Sequence, residues 1–182
     1  SVVNVETIGI DLKDGDDSVT VDGTSTGGRY VLDGGLGSDT LTVNLTAGAD
    51  TATVSVAGGR IEIDRDTAGV IDLSAAGFET VALNGGDAAD VITLSGDLAA
   101  TGATSVTVNA GNGADSVNAT GVTSDITING GESGAGIGDV DTVTYDAGWT
   151  LSIVANKWVV TNGATTHTLE GVEKALTARQ LK

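Results

Sequence analysis

The chain of 182 residues has no cysteine, no proline and no methionine, a single histidine, and aromatic residues at only 3%. Without cysteine there is neither a disulfide framework nor thiolate chemistry. With so few bulky side chains, any core must be thin. No apolar run approaches the ~18 residues that span a bilayer, and the start lacks the basic and apolar regions of a signal peptide. Lacking even an initiator methionine, the chain reads as a processed product or an excised segment of something longer. Cations are also scarce: 8 Lys plus Arg stand against 25 Asp plus Glu, a formal charge of −17. Nucleic acid and anionic lipid would both repel such a chain, so neither nucleic-acid binding nor membrane insertion is expected.

What is present is glycine, aspartate and small aliphatic residues, with 28 Gly and 40% hydrophobic content. Acidic chains poor in aromatics are often disordered. Here, β-branched alternation provides a surface that buries once the acids are neutralised, and a divalent cation would neutralise them.

Internal repeats organise the chain. Aligned on the aspartate before each strand, five stretches superimpose: "IGIDLKDGDDSVTV" from Ile8, "YVLDGGLGSDTLTV" from Tyr30, "VALNGGDAADVITL" from Val81, "VTVNAGNGADSVNA" from Val106 and "ITINGGESGAGIGDVDTVTY" from Ile126. The shared form is an alternating strand, Asp or Asn, a Gly-rich turn, Asp, and a second strand. The aligned residues Asp17, Asp39, Asp90, Asp115 and Asp141 are separated by 22, 51, 25 and 26 positions. The long interval is expected to hold two coils, one of which has lost its signature. A second repeat lies over the first, with "NVETIGI" at Asn4, "GFETVAL" at Gly77 and "GVEKALT" at Gly171 sharing a Glu before a short strand. A hairpin signal precedes each of the last two. These marks divide the chain into a first module, residues 1–76, a second, 77–170, and the start of a third repeat or a cap, 171–182.

Val19 and Val21, or Leu41 and Val43, alternate with Ser and Thr in the period of a half-buried strand. Recurring coils of about 20 to 26 residues predict an all-β parallel β-solenoid with β-hairpin excursions, with the recurrent turns aligned along one edge. A β-sandwich with Gly-rich hairpins is the alternative. Only "LEGVEKALTARQLK" at the end has the character of a short helix.

Glycines let the turn take positive φ and point its carbonyls inward, and the following Asp adds a charged oxygen. Calcium needs six or more oxygens, which one turn lacks and two stacked turns can supply. Here "GGLGSDTLT", Gly34 to Thr42, resembles the GGxGxDxUx nonapeptide of the RTX, or haemolysin-type, calcium-binding repeats; "AGNGADSVN" at Ala110, "GGDAADVIT" at Gly85 and "LKDGDDSVT" at Leu12 are degenerate copies. The candidate metal ligands are Asp14, Asp16 and Asp17; Gly34, Gly35, Gly37 and Asp39; Gly85, Asp87 and Asp90; Gly111, Gly113 and Asp115; and Asp139 and Asp141. The resemblance implies Ca²⁺ held between stacked turns and export from a bacterium. With one motif turn per coil, the chain is similar to the degenerate repeats of very large surface proteins.

Other constellations read as structural. His167 lies among threonines as a solvated strand residue. Arg60, Glu62, Asp64, Arg65 and Asp66 read as a solvated mixed-charge face. Glu6, Glu79 and Glu173, at one repeat position, are expected to bond a neighbouring coil's backbone. Tyr145, Trp149 and Trp158 read as packing of the second hairpin, with a sugar platform as the other option. Ser18/Thr20, Thr40/Thr42, Ser116/Asn118 and Thr142/Thr144 should stack into an outward hydroxyl ladder. The functional expectation is a non-catalytic, structural calcium-binding segment of a secreted bacterial cell-surface protein, of adhesin, matrix-filament or S-layer type, folding on Ca²⁺ outside the cell. The alternative is a carbohydrate-binding or secretion-targeting segment of a secreted enzyme. Self-association into filaments or lattices and binding to surface polysaccharide are the further partners considered.

Overall fold

The computed structural model describes residues 7–23, 28–65, 72–131, 140–154 and 157–172, and the backbone of 174–177. These residues form an all-β structure whose one helical element is a single 3₁₀ turn, Leu98–Thr101. In chain order the strands are β1 (Thr7–Asp11), β2 (Ser18–Asp22), β3 (Arg29–Asp33), β4 (Thr40–Asn44), β5 (Thr51–Ala57), β6 (Arg60–Asp64), β7 (Leu73–Ala76), β8 (Thr80–Gly86), β9 (Val91–Gly96), β10 (Ser105–Gly111), β11 (Ser116–Val122), β12 (Ile126–Asn129), β13 (Thr142–Tyr145), β14 (Thr150–Val154), β15 (Lys157–Asn162), β16 (Thr165–Glu170) and β17 (Lys174–Thr177). The last of these replaces the expected helix with strand: Lys174–Thr177 pairs in parallel with β13.

The strands lie in two sheets, of order β1-β3-β7-β6-β5-β9-β11-β13-β17 and β14-β15-β16-β12-β10-β8-β4-β2. The chain crosses from one sheet to the other at almost every turn, so every strand except β6, β14 and β15 pairs in parallel with a strand one circuit away. Antiparallel pairing is confined to two triplets, β5-β6-β7 in the first sheet and β14-β15-β16 in the second. These are the two hairpin signals of the sequence. The strands of both modules run on within the same two sheets.

Register follows from the alternation, because a slip of one residue would turn every apolar side chain outward. Val21, Val43, Leu83, Val108, Ile128 and Leu169 fall in one inward row of the second sheet. In the first sheet Leu32, Ala75, Ile61, Ile63, Val54, Leu94 and Ala119 are also buried. Small and branched residues make up most of the buried core. The outward hydroxyls are also in register, as two ladders rather than one: Ser18 with Thr40 and Thr20 with Thr42 on the second sheet, and Ser116 with Thr142 and Asn118 with Thr144 on the first.

The charged segment of β6 departs from expectation. Glu62, Asp64 and Arg65 are buried, Arg65 to 1% exposure. Glu62 receives Arg29 at 3.0 Å and the Ser74 hydroxyl at 2.7 Å, and the Arg65 backbone N–H donates to Asp72 at 2.7 Å. The triplet puts three strands side by side in one sheet, where Arg29 pairs with Glu62, while the buried Arg65 side chain reaches Asp72 and the Gly23 carbonyl at the end of β2 in the other sheet. Arg60 adds hydrogen bonds to the Leu32 and Ser74 carbonyls. Asp66 lies outside the described residues.

Candidate metal centre

The aligned aspartates form hydrogen-bonded columns. At each turn, the carboxylate of one circuit accepts the backbone N–H of the aspartate in the circuit before it. Asp17 N–H donates to Asp39 Oδ1 at 2.8 Å, Asp90 N–H to Asp115 Oδ1 at 2.8 Å, and Asp115 N–H to Asp141 Oδ1 at 2.9 Å. The strand after each aspartate then starts from the neighbour's carbonyl, as Thr40 N–H on Asp17 O and Ser116 N–H on Asp90 O.

There are two such columns, one at each edge of the paired sheets. Asp17 and Asp39 sit where the chain passes from the first sheet to the second. Asp90, Asp115 and Asp141 sit where it passes back. The interval of 51 between Asp39 and Asp90 is therefore not two coils with one signature lost; the motif changes edge. Each column takes one member that the alignment did not offer as a ligand. Asp39 N–H donates to Glu79 Oε2 at 2.7 Å, and Asp50 N–H to Asp90 Oδ1 at 2.8 Å. Glu79 thus makes the backbone bond to a neighbouring circuit that its repeat position suggested, while Glu6 and Glu173 lie outside the described residues. Asp50 precedes an alternating strand as its counterparts do, and this was its sequence signal; the turn before it, "LTAGAD", has lost the doubled glycine.

Burial gives these columns their electrostatics. Asp39 and Asp90 are 0% and 1% exposed, and the Oδ2 atom of each has no hydrogen-bond partner, as is also true of Asp17 Oδ2. An ionised carboxylate in such a place carries an unbalanced desolvation cost. Burial, with the charges of Asp115 and Asp50 adding to it, raises the Asp90 carboxyl to about 6 against the N–H of Asp50, which favours the charged form.

The glycines are explained by the same contacts. A Cβ on Gly34 would collide with the Gly77 carbonyl oxygen and come within 2.9 Å of Asp39 Oδ2; one on Gly85 would meet the Ala110 carbonyl oxygen and Asp90 Oδ2. Gly130 bears the same relation to the Gly171 carbonyl and Asp141 Oδ2. At each place a carboxylate oxygen and a carbonyl of the adjoining circuit share the space that a side chain would fill. Gly35 and Gly37 have positive φ and pack against the Lys13 and Gly15 carbonyls, while Gly111 and Gly113 pack against those of Gly86 and Ala88.

The remaining candidates lie on the rim. Asp14, Asp16 and Asp87 are exposed, with Asp16 accepting the Ser38 N–H at 2.9 Å and Asp87 the Asn112 amide at 2.8 Å. Asp139 lies outside the described residues. Among the described residues no group of three or more acidic or histidine side chains converges to hold an ion. What fits a cation is the pairing of a buried carboxylate oxygen that lacks a partner, at Asp39 and Asp90, with a neighbouring carbonyl beside a bare glycine.

His167 is fully buried, not solvated. Its register with Ile126 puts it in an inward row otherwise made of aliphatics. Its Nε2 lies 3.0 Å from the Ser124 carbonyl, which can only accept, so Nε2 carries the proton and Nδ1 accepts from the Tyr145 hydroxyl at 3.3 Å. Burial lowers its pKa to about 4. Tyr145 and Trp149 pack on it, with ring centroids 5.4 and 4.5 Å away, whereas Trp158 is 36% exposed on β15. Trp149 is thus core, as the packing expectation for this hairpin required. No protein-family model matches the chain, and no curated protein is significantly similar to it.

Proposed function

We propose that the chain is a parallel β-solenoid segment that binds Ca²⁺ along its aspartate columns and serves as a non-catalytic structural element of a secreted bacterial cell-surface protein, of adhesin, matrix-filament or S-layer type. The parallel pairing of strands one circuit apart supports a solenoid over a sandwich. The observation that carries the calcium reading is the stack of buried carboxylates, in which Asp39 Oδ2 and Asp90 Oδ2 have no partner. In this reading Asp39 with the Gly77 carbonyl, and Asp90 with the Ala110 carbonyl, hold the cation between circuits. The bound ion supplies the positive charge that a chain of net charge −17 lacks. The RTX resemblance of "GGLGSDTLT" points the same way.

The mechanism is folding coupled to binding. Without the ion, stacked buried carboxylates oppose a thin core, and the chain entropy of about 1–2 kcal/mol per residue prevails. With it, the free energy of binding adds to that of folding. Far-ultraviolet circular dichroism and hydrodynamic radius, followed while a chelator lowers free Ca²⁺, test this directly. The β-sheet spectrum should be lost and the radius should grow; an unchanged spectrum at sub-micromolar free Ca²⁺ would sink the proposal.

A further inference from the structure

The first antiparallel triplet shows how the fold closes an inserted hairpin, and the second triplet lacks that closure. In the first, the outer strand β5 is covered by β9, which pairs with it in parallel as Thr51 with Val91, Ala52 with Ile92, Thr53 with Thr93 and Val54 with Leu94. The equivalent strand of the second triplet is β14, which ends its sheet among the described residues. Its inward apolar side chains reach past the core, leaving Ile153 65% exposed beside Trp158, its partner across the hairpin.

We propose that the β14 edge takes β2 of a second copy of this chain in parallel, so that copies join head to tail. The repeat selects the occupant. β1, β8 and β17 are the strands of "ETIGI", "ETVAL" and "EKALT", and β9 directly follows β8 as β2 directly follows β1. Among the described residues β2 is also an end strand, with its unpaired edge on the side by which β9 holds β5. Matching the two hairpins residue for residue, Val54 with Leu151 and Val56 with Ile153, transfers the β5–β9 register so that Ile153 reaches Gly23, with Trp149 beside Val19 and Leu151 beside Val21. Trp149, Val19, Leu151 and Val21 have inward parity, so the apolar row continues across the junction without a break. Strand polarity agrees, because β14 runs parallel to β16 and hence to every strand from β12 to β2.

Charge agrees as well. Residues 1–23 hold six acids and one lysine, whereas residues 157–182 hold four of the chain's eight cations and two acids. Because β1 and β17 hold the same repeat position, only one of them lies beside β13 at the junction. β1 keeps five register pairs with β3 against four for β17 on β13, and it is β17 that yields. The contact joins unlike surfaces, so nothing closes it and growth is open-ended. None of this depends on calcium as a ligand of the columns.

Sedimentation velocity over a range of concentrations, on protein whose β-sheet spectrum has been confirmed, reads the outcome. The wild-type chain should grow beyond dimers. Ile153→Lys alters an exposed side chain and should leave a folded monomer; the pair Ile8→Lys and Ile10→Lys, at the other end, should do the same. Mixed together, the two variants should give one-to-one dimers and nothing larger, since each keeps the end that the other has lost. A folded wild-type monomer at every concentration overturns the proposal, as does growth of Ile153→Lys equal to wild type or a dimer formed by either variant alone.

Discussion

Replacing Asp90 with asparagine separates the charge of the column from its hydrogen bonds. Asparagine keeps the oxygen that accepts the Asp50 N–H at 2.8 Å. It exchanges the unpartnered Oδ2 for an uncharged amide N–H₂. In the absence of a cation the carboxyl is raised from 3.8 to about 6. The folded state then holds a proton that the unfolded chain releases, so this stabilisation is complete below about pH 4 and is lost as pH rises through about 6. At neutral pH the ionised, buried group costs the fold at most about 3 kcal/mol, and Asp90→Asn should recover about 1–3 kcal/mol of it. Folding of the chelated chain by a stabilising osmolyte, followed by circular dichroism, places both proteins on one scale even where the wild type is unfolded. Asp90→Asn should need less osmolyte than wild type at pH 7 and no less at pH 4. With Ca²⁺ present the order at pH 7 should reverse, because the variant has lost an anionic ligand. A loss of stability in chelator of equal size at both pH values would refute the reasoning, since the carboxylate would then be balanced within the protein itself.

Two further substitutions probe neighbouring parts of the structure. Glu79→Ala removes the acceptor of the buried Asp39 N–H and should cost about 1–3 kcal/mol in urea unfolding, while Glu79→Gln, which keeps an oxygen there, should cost less than about 1 kcal/mol. His167, with its pKa lowered to about 4, stays neutral in the fold while the unfolded chain takes up a proton, so stability is full above pH 6.5 and is lost as pH falls from there toward 4. Thermal melts of His167→Phe in Ca²⁺ should show that acid slope, of at most roughly 3 kcal/mol, removed and replaced by an offset independent of pH.

Strand alternation was readable because it is local. Val19 and Val21, Leu41 and Val43, and Val81 and Leu83 each declare their inward face, and the turns between them declare where strands end. The columns were readable only in part, since alignment shows that aspartates recur but not which edge they occupy. His167 and Glu62 misled because residue type outweighed position. His167 alternates with Leu169 as Ile126 does with Ile128, and that register buries it whatever its polarity. The burial of Glu62 depends on Arg29, 33 positions away, and on the three-strand triplet, neither of which leaves a local mark. Glu79 was legible from its repeat position as a bond to a neighbouring coil, whereas Asp50 escaped notice, because position in the stack, rather than the glycine motif, defines membership of a column.

The change of edge has a simple cause in strand count. Each antiparallel triplet stays in one sheet and so acts as a single crossing step. From β1 to β8 the chain passes through β1, β2, β3, β4 and the triplet β5-β6-β7, an odd number of steps. From β8 to β17 the number is again odd. The Glu-bearing repeat strand therefore alternates between sheets, as β1, β8 and β17 do, and the Gly-Asp turns that follow it alternate between edges. Neither edge then carries a column through the whole stack: one ends at Glu79 and the other begins at Asp50. An even count would have put Asp17, Asp39, Asp90, Asp115 and Asp141 in a single file of buried carboxylates. The odd count divides the same acids between two edges, where each group faces fewer like charges.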